Sequence, residues 1–122
     1  MNNQNKPVGS YGEEIAENYI KNLGYEIMSR NFRCNIGEID IIARDGNYIT
    51  FIEVKTRYDK QYGYPREAVT KGKQYKICKV AQFYILKNRI EKLTFRFDVI
   101  EVILNKYCNE YTVTLIKNAF QT

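Results

Sequence analysis

No histidine occurs anywhere in this chain of 122 residues, and that absence removes several chemistries. A Ser-His-Asp hydrolase, a histidine-ligated zinc enzyme and a histidine-dependent nuclease are all excluded. Any acid–base step falls to carboxylates, lysine, tyrosine or metal-bound water. Cysteine is also scarce. Cys34, Cys78 and Cys108 are odd in number and far apart, which fits neither a disulfide framework nor a Cys-x-x-Cys metal knuckle. There is no run of eighteen apolar residues, so no membrane-spanning helix is expected. The first ten residues lack the apolar stretch of a secretory signal. Residues 1–10 therefore read as a flexible polar tail and 11–122 as a single domain, with a reducing cytoplasm as the expected location.

What is present is charge where charge is costly. Gly37-Glu38-Ile39-Asp40-Ile41-Ile42-Ala43 and Phe51-Ile52-Glu53-Val54-Lys55-Thr56-Arg57 are rich in Ile, Val and Phe, as strands are in a covered sheet. Ionised groups in such strands are expensive unless paired or bound to a metal. Arg44-Asp45-Gly46-Asn47 is a turn signal, so the two runs read as an antiparallel hairpin. A turn centred on Asp45-Gly46 sets Ala43 opposite Tyr48, Asp40 opposite Phe51 and Glu38 opposite Glu53. Alternation then puts Glu38, Asp40 and Ile42 on one face with Phe51, Glu53 and Lys55. In this register Asp40 and Glu53 are diagonal neighbours, roughly 7–8 Å apart at their backbones. A hard divalent cation, held by carboxylate oxygens at about 2.0–2.6 Å, could bridge them. Lys55 points to the same place.

The rest of the chain alternates helical and strand patterns. Tyr11 to Leu23 is an amphipathic helix with Tyr11, Ile15, Ala16, Tyr19, Ile20 and Leu23 on one stripe, Ser10 as N-cap and Gly24 as stop. Glu13 sits at the edge of that stripe, able to reach over the sheet, whereas Glu14 faces solvent. Tyr25 to Arg33 reads as a first strand, and Tyr58 to Pro65 as a loop. Thr70 to Asn88 is a second helix with Ile77, Val80, Ala81, Tyr84 and Ile85 inward. Phe95 to Leu104 and Tyr111 to Ile116 are two more strands, split by a turn at 105–109. The order αβββαββ predicts an α/β layer fold with a mixed central β-sheet flanked by helices.

Net charge is +5, unevenly spread. Lys55 to Lys92 holds eleven Lys and Arg against three acids, whereas the rest holds eight against eleven. A basic half is the footprint of a polyanion binder, although lysines on a helix are commonly just a solvated face. Arg57, Lys73 and Lys76 are the candidate phosphate contacts. Tyr58, Tyr62 and Tyr64 are either stacking groups or loop anchors.

The pattern Asp40, a twelve-residue gap, then Glu53-Val54-Lys55 resembles the PD-(D/E)xK nuclease superfamily. Together with Gly37 to Ala43, Phe51 to Arg57 and Arg96-Phe97-Asp98-Val99-Ile100, the likeness narrows to the small bacterial YraN family, related in fold to archaeal Holliday junction resolvases. It runs from about Gly9 to Phe120. The resemblance implies a restriction-endonuclease-like fold, with Asp40 and Glu53 as metal ligands and Lys55 as the group acting on the attacking water or on transition-state charge. By the same analogy Glu13 completes the acidic cluster; as a lone residue it reads equally well as a charge that favours the helix N-terminus. Glu38 is either an outer acid or a rim salt bridge, and Arg96 with Asp98 reads as a structural pair. Magnesium is the expected cofactor, with manganese as a substitute, because only oxygen ligands are at hand. DNA is the expected partner, and a homodimer is expected by analogy alone. The leading expectation is a magnesium-dependent endonuclease acting on structured or branched DNA. The competing ones are a nucleic-acid-binding protein of nuclease ancestry with little or no catalysis, and a basic scaffold whose acids are structural.

Overall fold

The computed structural model describes residues 8–58, 69–105 and 107–121. Its elements are α1 (Val8–Asn22), β1 (Glu26–Cys34), β2 (Gly37–Asp45), β3 (Tyr48–Tyr58), α2 (Lys71–Lys87), β4 (Thr94–Leu104) and β5 (Tyr111–Phe120). The order αβββαββ is as expected. The five strands form one sheet in sequence order. Neighbours are antiparallel except β3 and β4, which run parallel from Tyr48↔Thr94 to Tyr58↔Leu104. A parallel pair needs a long crossover, and α2 lies within it.

Each helix covers its own face of the sheet. Ile77, Val80, Ala81 and Tyr84 of α2 share a cluster with Ile39, Ile42, Ile49, Phe51, Val99 and Phe120. Ile15, Ala16 and Ile20 of α1 share another with Ile41, Ala43, Ile52, Ile100 and Val102. Phe51 and Ile52 are adjacent in β3 and belong to opposite clusters, as strand alternation requires. The result is a mixed five-stranded sheet between two helices.

Several boundaries differ from expectation. α1 begins at Val8, so Ser10 lies inside the helix instead of capping it, and the polar tail loses its last three residues. Residues 1–7 lie outside the described residues. Gly24, at φ +97°, ends α1 as expected, and the Tyr25 N–H donates back to the Ile20 carbonyl at 3.0 Å. Leu23 falls in this turn and is exposed, off the buried stripe. α2 closely matches its pattern, with Thr70 as N-cap accepting from the Lys73 N–H. β5 runs on to Phe120, whose ring stacks on Phe97.

The β2–β3 register is two residues away from the expected one. Asp45 pairs with Tyr48, Ala43 with Thr50 and Ile41 with Ile52, so the loop is Gly46-Asn47, with Gly46 at φ +61°. Asp45 is kept in the strand because its carboxylate accepts from Arg96 Nη2 at 3.0 Å. A slip of two leaves side chains on their expected faces wherever alternation is regular, here from Ile41 to Asp45 and along β3. It brings Asp40 level with Glu53 instead of diagonal to it.

Arg96 and Asp98 pair as expected. Asp98 is fully buried and accepts from Arg96 Nε and Nη2, from Thr50 Oγ1 at 2.6 Å and from the Asn118 N–H at 2.8 Å. Arg96 also donates to Tyr25 Oη at 3.0 Å. This network ties β2, β3, β4 and β5 to one another and to Tyr25 just ahead of β1, which makes its role structural.

Candidate active site

The site forms where β2 parts from β3. The ladder ends at Ile41↔Ile52. Beyond it, the Val54 N–H donates to the Asp40 carboxylate at 2.8 Å. The cause lies partly in β1. Asn31 has φ +51° and sits between the Arg30↔Ile41 and Phe32↔Ile39 pairs. This left-handed residue marks a local break in alternation. Ile39 packs on the α2 side and Ile41 on the α1 side, although two residues apart they would ordinarily share a face. Asp40 sits between them and borders the cavities on both sides.

The larger cavity, of about 280 Å³, is lined by Glu13, Gly37, Glu38, Asp40, Glu53, Val54, Lys55, Lys73, Lys76 and Ile77. A smaller one of about 180 Å³ shares Glu13 and Asp40 and lies between α1, at Ser10 and Glu17, and β1, at Arg30 and Asn31. Six of the residues singled out in the sequence (Glu13, Asp40, Glu53, Lys55, Lys73 and Lys76) therefore meet in one place. Glu53 is only 6 % exposed. Its carboxylate ion-pairs with Lys73 Nζ and lies 3.7 Å from Lys55 Nζ.

Electrostatics follow from this crowding. Burial, with the charge of Glu53 added, pushes the Asp40 carboxyl up to about 8. Burial also raises Glu13, helped by the charges of Glu38 and Glu53 and opposed by a hydrogen bond from Asn31. Lys55 moves down, through burial and the nearby Lys73 charge, partly offset by Glu53. For Lys73, burial acts downward, but the hydrogen bond to Glu53 and its charge outweigh it, and the ammonium ends above its ordinary range.

Glu38 is exposed and accepts from Arg33 Nε at 2.7 Å, so it sits at the rim as a salt-bridged acid. Arg57 lies apart from the cavity. Its Nε is 2.8 Å from the carboxylate of Glu101, which is 2 % exposed. Burial raises the Glu101 carboxyl against the pull of Arg57. Tyr58 packs on the α1-side cluster and is a core anchor. Tyr62 and Tyr64 lie outside the described residues.

Gly12 is a residue that sequence reasoning missed. A Cβ there would stand 2.7 Å from the Thr56 Cβ and 2.8 Å from its methyl, so glycine is what lets α1 come down onto β3 and bring Glu13 to the cavity. Its only trace in the sequence is a poor helix former inside a helical pattern. Asn31 left no signal beyond its residue type, since Asn tolerates the left-handed region.

Among the described residues, no three of aspartate, glutamate and cysteine are gathered closely enough to hold a metal by themselves. Magnesium does not need such a cage. It is commonly held by one or two carboxylates, completing its shell with water and substrate phosphate oxygens. Asp40 and Glu53 are the carboxylates that would hold it, and its charge would offset the burial and the Glu53 charge that together raise Asp40. No helix among the described residues is long and apolar enough to cross a membrane.

A mixed sheet between two helices, with acids and lysines gathered where two strands diverge, defines an α/β protein with a polar candidate site. The chain belongs to the uncharacterised protein family UPF0102, whose model matches residues 12–102. This is the group indicated by the three sequence blocks under the name YraN. The chain is 64 % identical over 118 residues to a UPF0102 protein of Clostridium botulinum (strain Hall), covering 96 % of both chains. It is 55 % identical over 121 residues to a UPF0102 protein of Clostridium tetani, covering 99 % of both.

Proposed function

We propose that this protein is a magnesium-dependent endonuclease of the PD-(D/E)xK kind, with a restriction-endonuclease-like fold, acting on structured or branched DNA in the cytoplasm. The observation that carries the reading is the convergence of Asp40, Glu53 and Lys55 on one cavity that Lys73 and Lys76 also line. Asp40 and Glu53 would hold the cation, with Glu13 adding negative charge from α1. When bound, magnesium or manganese supplies polarisation of the scissile phosphate and a more acidic attacking water. Lys55, with its ammonium pulled down by burial, is suited to exchange a proton with that water or to stabilise charge in the transition state. Lys73 and Lys76 would hold phosphate oxygens at the cavity mouth. A twofold dimer that cuts two symmetric strands is proposed by analogy with junction resolvases.

A second reading rests on one contact. With Lys73 paired to Glu53, an ammonium already neutralises that carboxylate, as it would in a nucleic-acid binder without catalysis. Incubating the purified protein with single-stranded, duplex, flapped and four-way DNA, with and without Mg²⁺ or Mn²⁺, separates the two. The nuclease reading predicts metal-dependent cutting of the branched forms, and the binder reading predicts retention without products.

A further inference from the structure

The outer side of α2 does not look like an ordinary solvated helix face. A surface helix usually turns charged and polar residues outward. Here Tyr75 is 65 % exposed, Phe83 42 % and Leu86 77 %. Intervals of four, four and three along Tyr75, Lys79, Phe83 and Leu86 keep these four on one side of the helix, while Ile77, Val80, Ala81 and Tyr84 are buried on the other. The Lys79 ammonium lies 5.4 Å from the centroid of the Tyr75 ring, and Phe83 is steadied from below by Phe32. α2 carries five lysines and no acid. Its first two turns reach the carboxylate cavity through Lys73 and Lys76.

An exposed row of two flat rings with a lysine between them, on a helix with no acid, has one chemically natural occupant. Aromatic faces with cations beside them bind the bases and phosphates of an unpaired nucleic-acid strand, and do so with little regard for sequence. A second copy of this chain fits less well, because it would set the Lys79 ammonium of one row against that of the other, on a helix that carries no acid to offset either. We propose that the outer face of α2 is a stacking platform for an unpaired strand, about 17 Å long from Tyr75 to Leu86 at 1.5 Å per residue, which delivers that strand to the cavity. The platform rests on the nuclease reading for its direction, but not for its existence. It narrows the substrate to nucleic acid with an unpaired segment beside the point of attack.

Fluorescence anisotropy of labelled oligodeoxynucleotides in EDTA tests this without cleavage. The probes are a twelve-nucleotide single strand and the same sequence as a duplex. Tyr75→Ala should weaken single-strand binding about five- to a hundred-and-fifty-fold, the range expected for losing one base–aromatic stack. Tyr75→Phe should retain the affinity, and duplex binding should change far less. An unaltered single-strand affinity in Tyr75→Ala overturns the platform while leaving the nuclease reading standing. Equal losses on single strand and duplex overturn it too, because stacking requires exposed bases. So does a dimer, seen by sedimentation, that Tyr75→Ala dissociates, or binding to anionic lipid vesicles with none to either oligonucleotide. Single-strand binding that depends on Tyr75, in a protein that cuts nothing with Mg²⁺ or Mn²⁺, supports the platform and ends the nuclease reading alone.

Discussion

Gly12 of α1 and Thr56 of β3 are in such close contact that only a residue without a Cβ fits at position 12. On an exposed helix, Gly→Ala normally stabilises by roughly 1 kcal/mol. Here Gly12→Ala must push α1 off β3, and overpacking of this kind typically costs about 1–3 kcal/mol. Urea unfolding should therefore show a lower midpoint, the opposite sign to helix propensity. A higher midpoint would mean that α1 is not seated on Thr56. Because Glu13 follows Gly12, the same variant should also weaken any divalent-cation binding measured by calorimetry.

Asp40 gives a pH dependence with a definite sign. Its carboxyl is pushed up to about 8 in the folded protein, whereas an unfolded aspartate titrates near 3.9. Between these values the folded chain keeps a proton that the unfolded chain releases. Stability from this group is therefore present at low pH and is lost as pH rises towards about 8, levelling off above it. Asp40→Asn keeps a carbonyl to accept from Val54 and removes the titration. Its melting temperature should exceed that of wild type by a margin that grows from pH 5 to pH 8. Adding Mg²⁺ at pH 8 should raise the wild-type melting temperature through binding to the folded state and leave the variant nearly unmoved. A margin that does not change with pH would contradict the buried placement of Asp40.

Arg57 faces Glu101, and that pairing can be told apart from phosphate binding. Removing one partner of a buried ion pair leaves an uncompensated charge and costs about 3–5 kcal/mol, whereas replacing both by apolar groups is often neutral. Arg57→Met should destabilise strongly, and the double variant Arg57→Met/Glu101→Leu should recover most of the loss in chemical denaturation. If Arg57→Met instead leaves stability alone and flattens the salt dependence of DNA binding, Arg57 contacts phosphate.

Lys73 and Lys76 line the cavity, and as phosphate contacts each contributes to counterion release. The logarithm of duplex affinity should fall with the logarithm of salt concentration by about 0.9 per contact. Replacing both with Ala should flatten the slope by about one to two units. An unchanged slope would move the binding face away from the start of α2.

Much of this arrangement was legible in the sequence. The order of elements follows from their periodicities, and Asp40, Glu53 and Lys55 still line one cavity because the register slip was by two, although the break in alternation beside Asp40 was not foreseen. The register itself was not legible. Asp45-Gly46 and Gly46-Asn47 are both good turn pairs, and the choice is made by Arg96, 51 residues from Asp45 in sequence. The Arg57–Glu101 pair depends on the parallel β3–β4 alignment, which no local pattern encodes. Lys73 could be placed on a helix, but its partner Glu53 depends on how that helix sits on the sheet. The left-handed turn at Asn31 is likewise a tertiary choice.

Single-turnover cleavage on whichever branched DNA wild type cuts best tests the central claim most directly, with wild type, Lys55→Ala and Asp40→Asn compared in Mg²⁺ and affinity measured in parallel. Lys55→Ala should slow cutting by roughly a hundredfold or more, the scale of losing a positioned acid–base or electrostatic group. Its affinity should barely change, since one contact is a small share of binding. Asp40→Asn should abolish cutting and bind as well as wild type or better. Lys55→Ala cutting at the wild-type rate, or wild type that binds all four DNA forms and cuts none with either metal, would contradict the account.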